Sequence, residues 1–202
     1  MDNKIKNIFL DWGGVLIDLD KQSSLQAFRK LGLQDADAAQ DKFIAIMQDY
    51  ELGNISTVEF RQNICKVIGK YIPNADIDHA WNSMLLTVPT DKLQLILELK
   101  QSHSVYLLSN TNHMHWEYAA QRVFRLDDYR LDDFFDGVFL SYEMHKAKPD
   151  KSIFQIAVAR AGLKAEECLF VDDLKENCDA AIAAGLHAIQ YTPGHNLRNI
   201  FK

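Results

Sequence analysis

The sequence predicts an α/β fold, in which helices cover both faces of a mostly parallel β-sheet. Short, continuously apolar runs such as Val105–Leu108 and Cys168–Val171 alternate with helical stretches, and buried parallel strands have this character. A block of one-sided helical stripes, residues 19–88, interrupts the alternation after the first strand. We therefore expect a core formed by residues 1–18 and 89–202, with a small helical bundle inserted as residues 19–88.

The overall composition is that of a globular protein and disfavours several functional classes. The chain has 202 residues, of which 48% are apolar and 25% are charged, so it can bury a substantial core. Its net charge of -6 gives no electrostatic reason to expect nucleic acid or an anionic membrane as a partner. No long apolar run occurs near the N-terminus, so we expect neither a signal peptide nor a membrane span, and a cytoplasmic location.

The cysteines indicate a reducing compartment. Cys65, Cys168 and Cys178 are odd in number and lack CxxC spacing, which fits neither a disulfide framework nor a zinc site. We expect free thiols that pack as small apolar side chains.

The first half of the chain is predicted to hold one strand followed by helices. Residues 5–10 form a short apolar run that stops at Asp11. The helical stripes beyond it are Leu25, Phe28 and Leu31; Phe43, Met47 and Tyr50; Phe60, Ile64, Val67 and Ile68; and Ile77, Trp81, Met84 and Leu85. We expect Gly32 to end the first helix. Phe60 and Trp81 are interpreted as bundle core rather than as ligand contacts.

The second half is predicted to alternate between strands and helices. Pro89 ends the insert, and Thr90 is expected to cap the next helix. The predicted strands are 105–108, 138–140, 168–171 and 187–191. One predicted helix carries Leu93, Ile96 and Leu97, and the others lie at about 112–123, 151–161 and 177–184. Residues 125–136 are expected to be irregular.

Polar residues follow four of the predicted strands. They are Asp11 after the first strand, Ser109 and Asn110 after the second, Lys148 after the third, and Asp172 and Asp173 after the fourth. Each alone is explained by turn or cap chemistry. Because ligands bind beyond the carboxyl ends of parallel strands, their joint occurrence at one sheet edge indicates a functional site.

These residue types suit phosphoryl transfer. Asp11 and an acid of the Asp172–Asp173 pair can hold Mg²⁺ through oxygen. The Ser109 hydroxyl and the Lys148 ammonium can hold phosphate oxygens. Asp11 can then attack phosphorus, giving an aspartyl-phosphate that water cleaves.

The chain resembles the haloacid-dehalogenase-like hydrolase superfamily over nearly its whole length. The motifs that carry the resemblance are DWGGVLID, LLSNTN, KAKPDKSIF and FVDDLKENCDAA, in the family's order and spacing. With ELGNISTVEFR and AWNSMLL, the chain is most similar to small-capped bacterial sugar-phosphate phosphatases of the glucose-1-phosphate phosphatase type. The resemblance implies a Rossmann-like three-layer core, with the helical insert as a cap that closes over the substrate.

The same resemblance implies a role for each residue at the sheet edge. The implied roles are nucleophile and magnesium ligand, Asp11; phosphate binding, Ser109, Asn110 and Lys148; direct magnesium ligand, Asp173, assisted by Asp172; and a backbone carbonyl for magnesium, Gly13. The expected activity is magnesium-dependent hydrolysis of a small phosphorylated metabolite.

Gly13 departs from the common family pattern, in which a second aspartate protonates the leaving oxygen. Such acid–base help is worth roughly 100-fold to 10,000-fold in rate. The substrate could have a good leaving group, another group such as His113 or His115 could substitute, or turnover could be poor. Both histidines are interpreted as helix-surface residues, and Trp12 is expected to lean toward the substrate or the insert. Glucose-1-phosphate phosphatases also have glycine here, so Gly13 does not itself imply inactivity.

Two other functions compete with the phosphatase. A dehalogenase of this fold needs no metal, whereas Asp172–Asp173 is a metal-type pair. A catalytically weak or inactive relative that binds a phosphorylated ligand or partner is supported by Gly13 alone.

Overall fold

The computed structural model of the chain describes residues 4–35 and 37–202. Within these residues, five parallel strands form one sheet in the order β3-β2-β1-β4-β5. The strands are β1 (Asn7–Leu10), β2 (Ser104–Ser109), β3 (Gly137–Leu140), β4 (Cys168–Asp172) and β5 (His187–Gln190). The predicted α/β fold with a parallel sheet is confirmed.

Helices precede, connect and follow the strands. Those between β1 and β2 are α1 (Lys21–Leu31), α2 (Asp37–Glu51), α3 (Thr57–Ile68), α4 (Asn74–Asn82) and α5 (Thr90–Leu99). Those further along are α6 (His113–Arg122), α7 (Leu131–Phe134), α8 (Ser141–Met144), α9 (Lys151–Arg160) and α10 (Lys175–Ala183). Two short 3₁₀ helices lie at Ala165–Glu167 and Leu197–Phe201.

The two faces of the sheet are covered by different helices. Ile8 and Leu10 of β1 face a core that includes residues of α5, whereas Phe9 faces a core that includes residues of α9 and α10. Successive side chains of a strand point to opposite faces, so a continuously apolar strand supplies both cores. The arrangement is three layers: helices, sheet, helices.

The helical insert has its own apolar core. Phe28, Phe60, Ile64 and Trp81 are fully or almost fully buried in it, as predicted for Phe60 and Trp81. α1 ends where Gly32 adopts a left-handed conformation, with φ of 114°, and a Ser56–Glu59 capping box begins α3.

The two connections to the insert run side by side. Leu19 and Leu85 form an antiparallel bridge, and the Asp20 amide donates a hydrogen bond to the Met84 carbonyl. The insert therefore joins the sheet beside the end of β1.

Some local predictions were wrong. Thr90 is the first residue of α5 and makes no capping hydrogen bond, because Pro89 occupies the cap position. Leu85 lies beyond α4 because it pairs with Leu19. The segment expected to be irregular contains α7, a single turn too short to show a helical period.

The cysteine prediction is confirmed, since Cys65, Cys168 and Cys178 are free thiols. Among the described residues, no helix has the length and apolar character needed to cross a bilayer.

Candidate active site

The carboxyl ends of the strands border a large cleft beneath the helical insert. Asp11 directly follows β1, Ser109 ends β2 and Asp172 ends β4. The cleft has a volume of about 970 Å³, and Asp11, Ser109 and Asp173 contribute to its lining. The sheet edge predicted from sequence and the insert thus enclose one space.

Lys148 joins the first and fourth strands. Its Nζ lies 2.7 Å from Asp11 Oδ1 and 2.7 Å from Asp172 Oδ2, and only 1% of its side chain is exposed. Asn110 holds the backbone of Lys148: its Oδ1 accepts from the Lys148 amide at 2.8 Å, and its Nδ2 donates to the Lys148 carbonyl at 2.8 Å. The loop after α8 is therefore fixed to the end of β2.

Asp172 is held by the protein, whereas Asp173 borders the cleft. The Leu174 amide donates to Asp172 Oδ1 at 2.8 Å, and Asn177 Nδ2 lies 3.0 Å from each carboxylate oxygen. Asp172 is fully buried, while Asp173 is partly exposed and lines the cleft. The pair therefore divides into a carboxylate that fixes Lys148 and one that faces the open space.

Three carboxylates at this edge fit a hard divalent cation. Asp11, Asp172 and Asp173 each offer one oxygen, and these oxygens all lie within 4.8 Å of one another. Lys148 supplies one positive charge beside two of them. The set therefore keeps excess negative charge on oxygen ligands, which is the chemistry that Mg²⁺ prefers.

Burial, followed by neighbouring charges, shifts the pKa values at this edge of the sheet. Burial raises the pKa of Asp11 to about 7; Lys148 opposes the rise, and Asp172 adds to it. Burial also raises the pKa of Asp173, again with a contribution from Asp172. Burial alone would lower the pKa of Lys148, but the charges of Asp11 and Asp172 outweigh it and raise that pKa.

The two glycines after Asp11 have different roles. Gly14 has a φ of +77°, and a Cβ added there would lie 2.5 Å from Asp173 Oδ2. Gly14 therefore lets the Asp173 carboxylate approach the backbone, which the sequence analysis missed. A Cβ at Gly13 would lie 3.0 Å from Leu19 Cδ1, so Leu19 occupies the space where a longer side chain would begin.

The structure corrects the interpretation of His115. Its ring is buried and stacks on Trp81, with 4.7 Å between ring centroids. Its nitrogens lie 3.2 Å from Asn112 Nδ2 and 3.1 Å from the Trp81 carbonyl oxygen, and burial lowers its pKa to about 4. His115 therefore packs as a neutral side chain, whereas His113 is exposed as predicted.

Trp12 was expected to lean toward the substrate or the insert; it borders the cleft, but its ring packs into the sheet core and does not turn toward the insert. It is 3% exposed in the core on one face of the sheet, where its ring contacts Trp116 and Phe124. The alternation of side chains after Asp11 turns it inward, although it also borders the cleft.

The chain matches a known protein family over most of its length. The haloacid dehalogenase-like hydrolase family matches residues 5–185. The chain belongs to this family. It is a hydrolase, and it has the Rossmann-like α/β fold that the resemblance implied.

Several relatives match over almost the whole chain. A D-ribitol-5-phosphate phosphatase of Bacteroides thetaiotaomicron is 36% identical over 196 residues, covering 96% of this chain and 95% of the relative. A HAD family enzyme of the same organism, solved in complex with magnesium and inorganic phosphate, has a TM-score of 0.93 and 37% identity, covering 98% of this chain and 100% of that one. A predicted HAD-like hydrolase from Porphyromonas gingivalis has a TM-score of 0.89 and 33% identity, covering 98% and 96%.

Proposed function

We propose that this hydrolase is a magnesium-dependent phosphatase that acts on a small phosphorylated metabolite of the sugar-phosphate type. The observation that carries the proposal is the buried Asp11–Lys148–Asp172 arrangement with Asp173 beside it. It combines a carboxylate nucleophile, an ammonium and a set of oxygen ligands at one edge of a cleft. Phosphoryl transfer needs each of these.

Asp11 is the nucleophile in this proposal. Its Oδ1 is oriented by the Trp12 amide at 2.7 Å and by Lys148 at 2.7 Å, which leaves Oδ2 available to attack phosphorus. The product of the attack is an aspartyl-phosphate, which water then hydrolyses. Ser109, Asn110 and Lys148 bind the phosphate oxygens.

Asp11, Asp173 and the Gly13 carbonyl are the residues that would hold Mg²⁺, and Asp172 assists them. The ion supplies positive charge that offsets repulsion between a carboxylate and an anionic phosphate. Asp172 contributes by keeping Lys148 in place through their 2.7 Å contact.

Residues 19–88 act as the cap in this proposal, with residues 1–18 and 89–202 as the catalytic core. The part of the insert that lines the cleft includes Leu25, Phe43 and Met47, so it faces whatever group carries the phosphate. Such a wall lets the insert select the leaving group while the sheet edge binds the phosphate.

The relatives support the same proposal. A relative with 36% identity is a D-ribitol-5-phosphate phosphatase, and a structure with 37% identity holds magnesium and inorganic phosphate. Both cover nearly all of this chain.

Phosphate release tests the proposal. Wild-type protein would be assayed with D-ribitol-5-phosphate, glucose-1-phosphate and p-nitrophenyl phosphate, with magnesium and with chelator. We expect magnesium-dependent release that Asp11→Asn abolishes and that Asp41→Asn, an exposed residue of α2, leaves unchanged. No phosphate release across a broad panel of esters, with phosphate binding retained, would overturn the proposed phosphatase activity. Metal-independent release of halide from 2-haloacids would indicate a dehalogenase instead.

A further inference from the structure

The proposed reaction needs a proton for its leaving oxygen, and residue 13 cannot provide one. Gly13 has no side chain, and Leu19 occupies the adjacent space. His115 is buried with both nitrogens near hydrogen-bonding partners. For an alkyl leaving group, the proton donor therefore has to lie elsewhere on the cleft wall, and the following inference rests on the proposed function.

Glu51, the last residue of α2, is an acid on that wall. Its side chain lines the same cleft as Asp11, Ser109 and Lys148. Within residues 4–35 and 37–202, no hydrogen bond or ion pair engages its carboxyl group, although its backbone carbonyl is bonded. A largely buried carboxyl group without a partner is costly, and such groups are typical of functional sites.

The end of α2 is fixed directly to the phosphate-binding side of the cleft. Ser141 Oγ donates to the Glu51 carbonyl oxygen at 2.6 Å and accepts from the Thr111 amide at 2.9 Å. Thr111 is two residues beyond Ser109. One hydroxyl group thus links the backbone of Glu51 to the loop that follows β2.

The next two residues strengthen this attachment. His145 Nδ1 lies 3.0 Å from the Leu52 carbonyl oxygen. Gly53 has a φ of +68°, and a Cβ there would lie 2.1 Å from the Tyr142 carbonyl oxygen. Only glycine allows this close approach, so backbone contacts with residues 141–145 fix the end of α2 at the wall of the cleft.

The burial of Glu51 favours the protonated form of its carboxyl group. Burial raises its pKa, and Lys21 opposes the rise. The charged groups that line the cleft with Glu51 are Asp18 in the connection to the insert, Lys21 of α1, and Asp11, Lys148 and Asp173 at the sheet edge. A carboxyl group with a raised pKa keeps its proton to a higher pH, as a general acid requires.

We propose that Glu51 is the catalytic acid and base that replaces the side chain absent at Gly13. In the first step an Asp11 oxygen bonds to phosphorus, the bond from phosphorus to the leaving oxygen breaks, and the Glu51 proton passes to that oxygen. In the second step a water oxygen bonds to phosphorus and the bond from phosphorus to Asp11 breaks. Glu51 takes the proton that this water loses, which restores the starting enzyme.

The experiment compares two leaving groups in Glu51→Gln. The leaving group of D-ribitol-5-phosphate is an alkoxide and needs a proton. The leaving group of p-nitrophenyl phosphate is a stabilised phenolate and does not. We expect the rate of leaving-group release in the first turnover, measured by rapid quench so that the shared second step does not contribute, to fall by about 100-fold to 10,000-fold for the first substrate and by less than about 10-fold for the second. Asp49→Asn is the matched control, because Asp49 is an exposed carboxylate of α2 bonded to Asn54 at 3.1 Å.

The pH profile provides the second readout. The wild-type first-turnover rate for the alkyl ester should fall at high pH as Glu51 loses its proton, and this limb should be missing in Glu51→Gln. Equal losses in the first-turnover rate on both substrates, or a change in KM alone, would overturn the assignment. If wild-type enzyme, Asp49→Asn and Glu51→Gln all release phosphate at the same rate, the catalytic role of Glu51 is excluded and the phosphatase proposal stands. If wild-type enzyme releases no phosphate, the phosphatase proposal falls too.

Discussion

Replacing Gly14 with alanine tests whether Asp173 binds the metal. The added Cβ would lie 2.5 Å from Asp173 Oδ2 and 2.6 Å from Cγ. Restoring an ordinary van der Waals contact requires the carboxylate to move by about 1 Å. Mg²⁺ demands near-ideal octahedral geometry, so a displaced ligand should weaken its binding.

The expected loss is about 10- to 100-fold in magnesium affinity, the range seen when the support of a metal ligand is removed. This corresponds to roughly 1.4 to 2.7 kcal/mol of binding free energy. The substitution also places alanine at a φ of +77°, which costs folding stability of about 1–2 kcal/mol. The two effects must be separated.

Gly69 provides the matched control. Its φ is +81°, and a Cβ there would meet nothing within 4 Å. Gly69→Ala should therefore lose similar stability and keep wild-type magnesium affinity, measured by isothermal titration calorimetry. Unchanged affinity in Gly14→Ala, or an equal loss in Gly69→Ala, would refute the placement of Asp173 at the metal.

Two further substitutions test the buried ionisable side chains His115 and Lys148. His115 has a pKa lowered to about 4 by burial, below its unfolded value of about 6.5, so its contribution to stability is complete above pH 6.5 and is lost as pH falls toward 4. In urea unfolding, lowering the pH from 7 to 5 should change the free energy of unfolding of the wild-type protein less favourably than that of His115→Gln by about 2 kcal/mol, whereas wild-type protein and His113→Gln should change equally. Lys148→Met leaves the buried carboxylates of Asp11 and Asp172 without their cation, and should reduce the free energy of unfolding by about 3–5 kcal/mol. Lys175→Met, which removes an exposed ion pair, should leave the free energy of unfolding nearly unchanged, and equal losses in both lysine variants would contradict the account.

The strands and their polar ends were predictable because the signals are local. Continuous apolar runs indicate strands buried on both faces, and the carboxyl ends of parallel strands lie at one edge. Asp11, Ser109, Lys148 and Asp172 could therefore be grouped before their contacts were known. The single-turn α7 gave no such signal, because four residues do not complete a helical pattern.

The supporting residues were not predictable, because their roles depend on contacts between distant segments. Asn177 looked like the start of a helix, but it binds both oxygens of Asp172. Gly14 looked like a turn residue, and its contact with Asp173 required the position of β4. Glu51 ends an ordinary amphipathic stripe, and only the packing of α2 on α8 brings it to the cleft.

The covalent intermediate tests the central claim most directly. Wild-type enzyme would be quenched in acid during turnover of an ester carrying radiolabelled phosphate, and the labelled peptide would be identified by mass spectrometry. The account predicts label on Asp11 and none in Asp11→Asn. Label on a different residue, or full turnover by Asp11→Asn, would contradict it.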